Sequence, residues 1–203
     1  MISLTNYSKN YGELSVFTNF NLEILTGQTI GIKGNSGCGK TTLLRSITGL
    51  DNDFTGELIL NKKRITKNIP PHRRDVALVM QEPILWEHMT VKENILFSIS
   101  LKQRKKVQDQ LRNICDHLEI LPILNRIPRN ISGGQAKRVS FARALMSDKN
   151  ILLLDEPLSN VDNETKKKIL VYLKQYLSEN KTIVYVSHDK EELELFCDNI
   201  LEI

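Results

Sequence analysis

The chain has 203 residues, of which 40% are hydrophobic and 26% charged, enough for one well-buried core and too few for two full domains. A net charge of only +4, carried in short basic clusters, gives no polyelectrolyte surface, so no nucleic-acid partner is expected. Cys38, Cys115 and Cys197 are too few and too far apart for a disulfide framework or a Cys-x-x-Cys metal site, and fit a reducing cytosol.

The start MISLTNYSKN lacks a charged segment followed by an apolar stretch. No window approaches the roughly 18 apolar residues that a membrane span needs. The expectation is a chain neither secreted nor membrane-spanning, with any membrane role exercised through a partner.

In chain order, Phe20, Leu22 and Ile24 alternate with Asn21 and Glu23, the period of a strand with one covered face, and Leu58 to Leu60 follow an expected turn at Thr55-Gly56. Together they predict short antiparallel strands. Three later runs, Val76 to Met80, Ile151 to Leu154 and Ile183 to Val186, are apolar without alternation, as in central parallel strands covered on both faces. Helical spacing marks Leu43, Leu44 and Ile47; Val107, Leu111, Ile114 and Leu118; Val139, Ala142 and Leu145; and Ile169, Leu173 and Leu177. The class is α/β with a mixed, mainly parallel central sheet, an N-terminal antiparallel β layer and an inserted helical subdomain. The expected layout is a single domain over 1–203, with its core at 1–84 and 150–203 and the helical subdomain at 85–149.

The run Thr29 to Lys33 leads into Gly34-Asn35-Ser36-Gly37-Cys38-Gly39-Lys40-Thr41, which matches G-x-x-x-x-G-K-[ST] between a strand and a helix. Its glycines let backbone N–H groups turn toward a polyphosphate, and the following helix adds its positive end. Lys40 reaches the β and γ phosphates, and the Thr41 hydroxyl ligates Mg²⁺. Thr42 is counted with the nucleotide contacts, and Cys38 reads as a small spacer. Asp155 and Glu156 follow a buried strand, at the carboxyl end where α/β sheets place their ligands, so Asp155 can hold Mg²⁺ while Glu156 faces an attacking water. Gln81 and His188 also follow strands. His72, His88 and His117 share no such placement and read as surface or packing residues.

Ser132-Gly133-Gly134-Gln135 opens a helix and fits a capping box. A capping box does not require two glycines, and a first turn stripped of side chains exposes N–H groups to a second anion. With Gly34 to Thr41, Gln81, Ser132 to Gln135, Asp155-Glu156 and His188 in this order, the sequence resembles ABC transporter ATPases over essentially its full length.

The resemblance implies Mg-dependent ATP hydrolysis coupled to transport, by a dimer in which Ser132 to Gln135 meet the γ-phosphate held by a second subunit, identical or homologous. It implies that Tyr11 stacks on adenine, that Lys40, Thr41 and Gln81 handle phosphate and Mg²⁺, that Glu156 is the general base or orients the attacking water and that His188 contacts the γ-phosphate. Ser159-Asn160-Val161-Asp162 is similar to the family's loop at the dimer interface, with Asp162 its characteristic member. Ile131 and the Asn160-Val161 pair depart from the commonest residues without removing a catalytic group.

Pro70 to Asp75, Val79 to Glu82 and His88 to Asn94 resemble the importer branch that serves sugars, polyamines, iron or oxyanions. There the stretch from Gln81 to Asn94 would dock an integral membrane permease over Ile84, Leu85, Trp86 and Met89. The implied location is cytoplasmic, peripheral on the inner face of the membrane. Importers of that branch often carry a further C-terminal regulatory domain, whereas this chain stops within what resembles the last core strand, so a minimal or shortened version is expected. A non-transport ABC ATPase of the iron–sulfur cluster assembly or cell-division type is the alternative.

Overall fold

A computed structural model describes residues 1–147, 149–159, 161–177 and 181–203. In chain order the elements are β1 (Ile2–Tyr11), β2 (Leu14–Ile24), β3 (Thr29–Lys33), α1 (Lys40–Thr48), β4 (Thr55–Leu60), β5 (Lys63–Arg64), β6 (Val76–Val79), α2 (Val91–Ile95), α3 (Leu101–Arg104), α4 (Gln108–His117), α5 (Gly133–Met146), β7 (Ile151–Asp155), α6 (Asn163–Tyr176), β8 (Thr182–Val186), α7 (Lys190–Phe196) and β9 (Asn199–Glu202). They fall into two compact units. The first comprises Met1–Leu78, Lys149–Asp155 and Leu177–Ile203; the second comprises Val79–Asp148 and Glu156–Tyr176. No helix among the described residues is long and apolar enough to cross a membrane.

The first unit holds two sheets. One is antiparallel, in the order β2-β1-β4-β5. Along β2 the alternation is visible as Phe17 and Ile24 buried, Phe20 and Leu22 half-buried, and Thr18, Asn21 and Glu23 exposed. The expected turn at Thr55-Gly56 is instead the start of β4. Gly56 has φ +93, and a Cβ there would lie 2.4 Å from the Asn6 carbonyl oxygen, opposite the register shift between Thr5 and Ser8. A bulge, not a chain reversal, is what the glycine serves.

The second sheet has the order β6-β7-β8-β3-β9, with β3 parallel to both β8 and β9 and β7 parallel to β8. Every residue of β7 and β8 is buried, which accounts for their unbroken apolar runs. The expectation that β6 is also central is corrected, because it lies at the edge and only its Val79 is fully buried. Four apolar residues read alike whether a strand has one hydrogen-bonded neighbour or two, since pattern reports covered faces and not covered edges.

Helix α1 sends Leu43, Leu44 and Ile47 into the core formed with Ile151, Leu153, Val184 and Val186. It stops at Gly49, whose φ is 85. Carbonyls of its last turn are also met by Arg74, which donates to the Ser46 oxygen at 2.8 Å and the Ile47 oxygen at 3.0 Å, and to Asn52 Oδ1 and the Ile69 oxygen as well. A guanidinium only 2% exposed needs this full set of acceptors, since desolvating it unpaired costs several kcal/mol. Helix α7 was not expected. Of its seven residues only Glu192, Leu193 and Phe196 are buried, too short a stripe for a periodicity reading.

The second unit is helical. Leu111 and Ile114 of α4, Val139, Ala142 and Leu145 of α5, and Ile169, Leu170 and Leu173 of α6 are its main buried contributors, while Leu177 falls beyond α6. Two capping boxes start α2 and α5, through Thr90 with Glu93 and through Ser132 with Gln135.

Candidate functional site

In the first unit the loop from Gly34 to Gly39 links β3 to α1. Gly37 and Gly39 take φ values of 84 and 103, and a Cβ on Gly39 would sit 2.5 Å from Val16 and 2.8 Å from the Phe17 ring. The loop thus turns where no side chain fits. Among the described residues no side chain caps the start of α1, so its N–H groups are left for a ligand. Asn35 and Ser36 are exposed, and Cys38 is half-buried. The Lys40 ammonium donates to the Gly34 oxygen at 2.7 Å and the Asn35 oxygen at 2.8 Å and approaches Cys38 Sγ at 3.5 Å, so the cation is held over the loop.

Thr41 Oγ1 donates to Asp155 Oδ2 at 2.7 Å, although 114 positions separate them. Asp155 is the last residue of β7 and 4% exposed. Hard oxygen donors of this kind, a hydroxyl beside a carboxylate at the foot of a phosphate loop, suit Mg²⁺, which keeps its remaining positions for phosphate and water. Thr42 is half-buried one position further along α1.

Tyr11, at the end of β1, is 47% exposed. Its hydroxyl donates to Asp51 Oδ2 at 2.6 Å, and the buried Lys9 ammonium lies 4.4 Å from its ring centroid and 2.9 Å from Asp51 Oδ1. Burial works to raise the Asp51 pKa, but hydrogen bonds from Tyr11 and Lys9 outweigh it and hold the carboxyl below its usual range. Neither Lys9 nor Asp51 belongs to a motif, so their hold on this ring has no signature in the residue pattern.

His188 is exposed and follows the end of β8 by two positions, after the buried Ser187. The parallel pairing of β7, β8 and β3 carries Asp155, His188 and the phosphate loop to the same edge of the sheet, and the Ser187 amide reaches the Ile32 oxygen.

In the second unit Gln81 Nε2 donates to Glu156 Oε2 at 3.4 Å. Glu156 has φ +46, a left-handed backbone that strains a side-chain-bearing residue, and such strain collects at functional positions. Its carbonyl oxygen accepts from Ser159 Oγ at 2.9 Å, and Lys137 of α5 donates to the same hydroxyl. Asn160 lies outside the described residues. Asp162 Oδ1 accepts from the Thr165 amide at 2.9 Å, which lowers its pKa and starts α6.

Ser132 accepts from the Gln135 amide at 3.2 Å while Gln135 accepts from the Ser132 amide at 3.0 Å. Gly134 is half-buried, whereas Gly133 is exposed and a Cβ there would meet nothing within 4 Å among the described residues. The fold of this chain therefore gives no reason for glycine at 133.

Between Gln81 and Asn94 the loop is organised by Asn94, wholly buried, which accepts from the Trp86 amide and donates to the Trp86, Met89 and Thr90 oxygens. Trp86 stacks on Phe97 at 4.0 Å and against the Arg143 guanidinium at 4.8 Å, while Arg143 donates to the Ile84 oxygen. Leu85 and Met89 are half-buried, and Ile84 is left 64% exposed.

A parallel sheet ending in a glycine phosphate loop, with a Thr–Asp pair beneath it, defines an α/β P-loop nucleotide-binding protein. A family model described as ABC transporter matches residues 17–159. The chain belongs to the ABC transporter family. Among curated relatives, the maltose/maltodextrin import ATP-binding proteins MalK of Photorhabdus laumondii and Mannheimia succiniciproducens are 37% and 36% identical over 98% of this chain, covering 55% and 54% of their own lengths. The chain thus spans about half the length of the curated relatives it matches. Among solved structures, the dimeric form of a bacterial ABC transporter cassette superposes with a TM-score of 0.88 at 32% identity, covering 100% of this chain and 94% of that one. The same cassette in a post-hydrolysis dimer bound to ADP and Pi gives 0.86 at the same identity.

Proposed function

We propose that the chain is the ATP-binding and ATP-hydrolysing subunit of an ABC membrane importer, acting at the cytoplasmic face of the membrane as half of a dimer. The observation that carries this reading is the 2.7 Å link from Thr41 to Asp155 beneath the phosphate loop, which supplies oxygen donors for a metal nucleotide. In this reading the N–H groups of Gly34 to Thr42 and the Lys40 ammonium bind the polyphosphate, and Tyr11 stacks on the adenine. Thr41, Gln81 and Asp155 would hold Mg²⁺, which neutralises charge on the phosphates when bound. Glu156 orients and deprotonates the attacking water, and His188 donates to the γ-phosphate.

The open first turn of α5 supports the dimer. Ser132, Gly133, Gly134 and Gln135 serve the nucleotide of a second subunit, a copy of this chain or a homologue, with Asp162 at the shared interface. Organisation as a single domain of core and helical subdomain follows from this reading, and the MalK relatives support import. The segment from Gln81 to Asn94, with its exposed Ile84, is the docking surface for an integral membrane permease. Nucleotide closes the dimer and hydrolysis reopens it, so that the permease alternates its access.

Glu156→Gln keeps the shape of the side chain and removes its basicity. Turnover is expected to fall roughly a thousandfold with ATP affinity unchanged, measured by phosphate release beside equilibrium nucleotide binding. An unchanged hydrolysis rate would sink the assignment.

A further inference from the structure

Glu192, in the first turn of α7, is 6% exposed. A carboxylate so far from water is destabilising unless each oxygen is bound, and an apolar residue of the same size is often no less stable. Here Oε1 accepts from the Tyr185 hydroxyl and Oε2 accepts from Ser187 Oγ at 2.6 Å. The Glu192 amide donates to Asp189 Oδ1 at 3.2 Å, and the Asp189 amide donates to Ser187 Oγ at 3.1 Å. These bonds close a circuit through residues 187, 192 and 189, which are the two chain neighbours of His188 and one carboxylate. The backbone at His188 is gripped from both sides while its imidazole stays exposed. Capping α7 needs only Asp189 and the Glu192 amide, so helix formation leaves the buried carboxylate unexplained.

We propose that Glu192 is a positioning residue for His188, acting through Ser187 and the Asp189 turn to fix the direction in which the imidazole is presented. The inference rests on the reading of His188 as a γ-phosphate contact. Tyr185 suits the role, because burial and then the Glu192 charge keep its hydroxyl protonated and donating. Glu192→Gln turns an amide donor toward a hydroxyl that must itself donate, and so breaks the circuit without changing its size. Ser187→Ala opens it from the other side and leaves the Tyr185 to Glu192 bond in place.

The test combines imidazole NMR with single-turnover ATP hydrolysis. The chain has four histidines, so the His188 resonances are those missing from His188→Ala. In both Glu192→Gln and Ser187→Ala the His188 resonances are expected to move while those of His72, His88 and His117 stay, and hydrolysis to fall roughly tenfold or more with ATP affinity retained. Added to His188→Ala, Glu192→Gln is expected to cause no further loss. Unmoved His188 resonances, or a full additional loss in the double variant, would overturn the proposal. A wild-type rate in His188→Ala would instead overturn the reading of His188, and the resonances would still decide whether Glu192 holds it. Should Glu192→Gln not fold, Ser187→Ala decides by the same readouts.

Discussion

Helices α1 and α5 both have glycine at their start, Gly39 just before the first and Gly133 opening the second, and they begin differently. Helix α1 starts from a loop bound by its own chain: Lys40 folds back on the Gly34 and Asn35 carbonyls, Thr41 is tied to Asp155, and Gly39 is pressed against Val16 and Phe17. Helix α5 starts with a capping box made from its own first residues and an exposed Gly133, on which a Cβ would meet nothing within 4 Å among the described residues. The first glycine is demanded by the fold, and the second is not. Such a contrast is expected when one helix start is a complete cradle and the other a surface kept bare for something outside the chain.

Substitutions at the two starts can break or sharpen this contrast. The largest effect is expected from Lys40→Ala, which removes the cation proposed to bind the phosphates and should weaken ATP binding by roughly a hundredfold in titration, given about 1.5–3 kcal/mol for a charged hydrogen bond. Gly39→Ala comes next. A side chain forced to φ +103 against Val16 should destabilise the protein by about 2–3 kcal/mol in urea unfolding. Ser132→Ala should cost about 1 kcal/mol, the worth of a cap.

Gly133→Ala should change stability by no more than about 1 kcal/mol, and if anything raise it, since alanine suits a helix better. It should nevertheless reduce ATP-driven association. Equal losses of stability at Gly39 and Gly133 would erase the contrast.

The smallest effect concerns acid. The hydrogen bond from the Thr165 amide depresses the Asp162 pKa, so its contribution is present above the ordinary carboxyl range and lost as pH falls through the lowered value. Asp162→Asn, which still caps the helix but does not titrate, should flatten the pH dependence of thermal unfolding below the ordinary carboxyl range.

The phosphate loop, Asp155 and the capping box at Ser132 were legible in the sequence because each is a local pattern with a local physical cause. The edge position of β6 was not, since pairing partners leave no trace in the period of a strand. Gly56 reads as a turn in the sequence because a bulge and a turn make the same demand on φ. The Lys9–Asp51 clamp on Tyr11 and the buried Glu192 were invisible for a different reason: a charged residue in a polar stretch reads as solvated until long-range packing closes over it. The left-handed backbone of Glu156 likewise depends on where its strand ends in space, and not on its neighbours' identities.

The most direct test of the dimer and its shared nucleotide is the mass of Glu156→Gln in solution, by gel filtration with light scattering, with and without Mg-ATP. A shared nucleotide site predicts a monomer alone and a dimer with nucleotide, the second form lost again when Gly133→Ala is added. A protein that binds ATP and remains monomeric would contradict it.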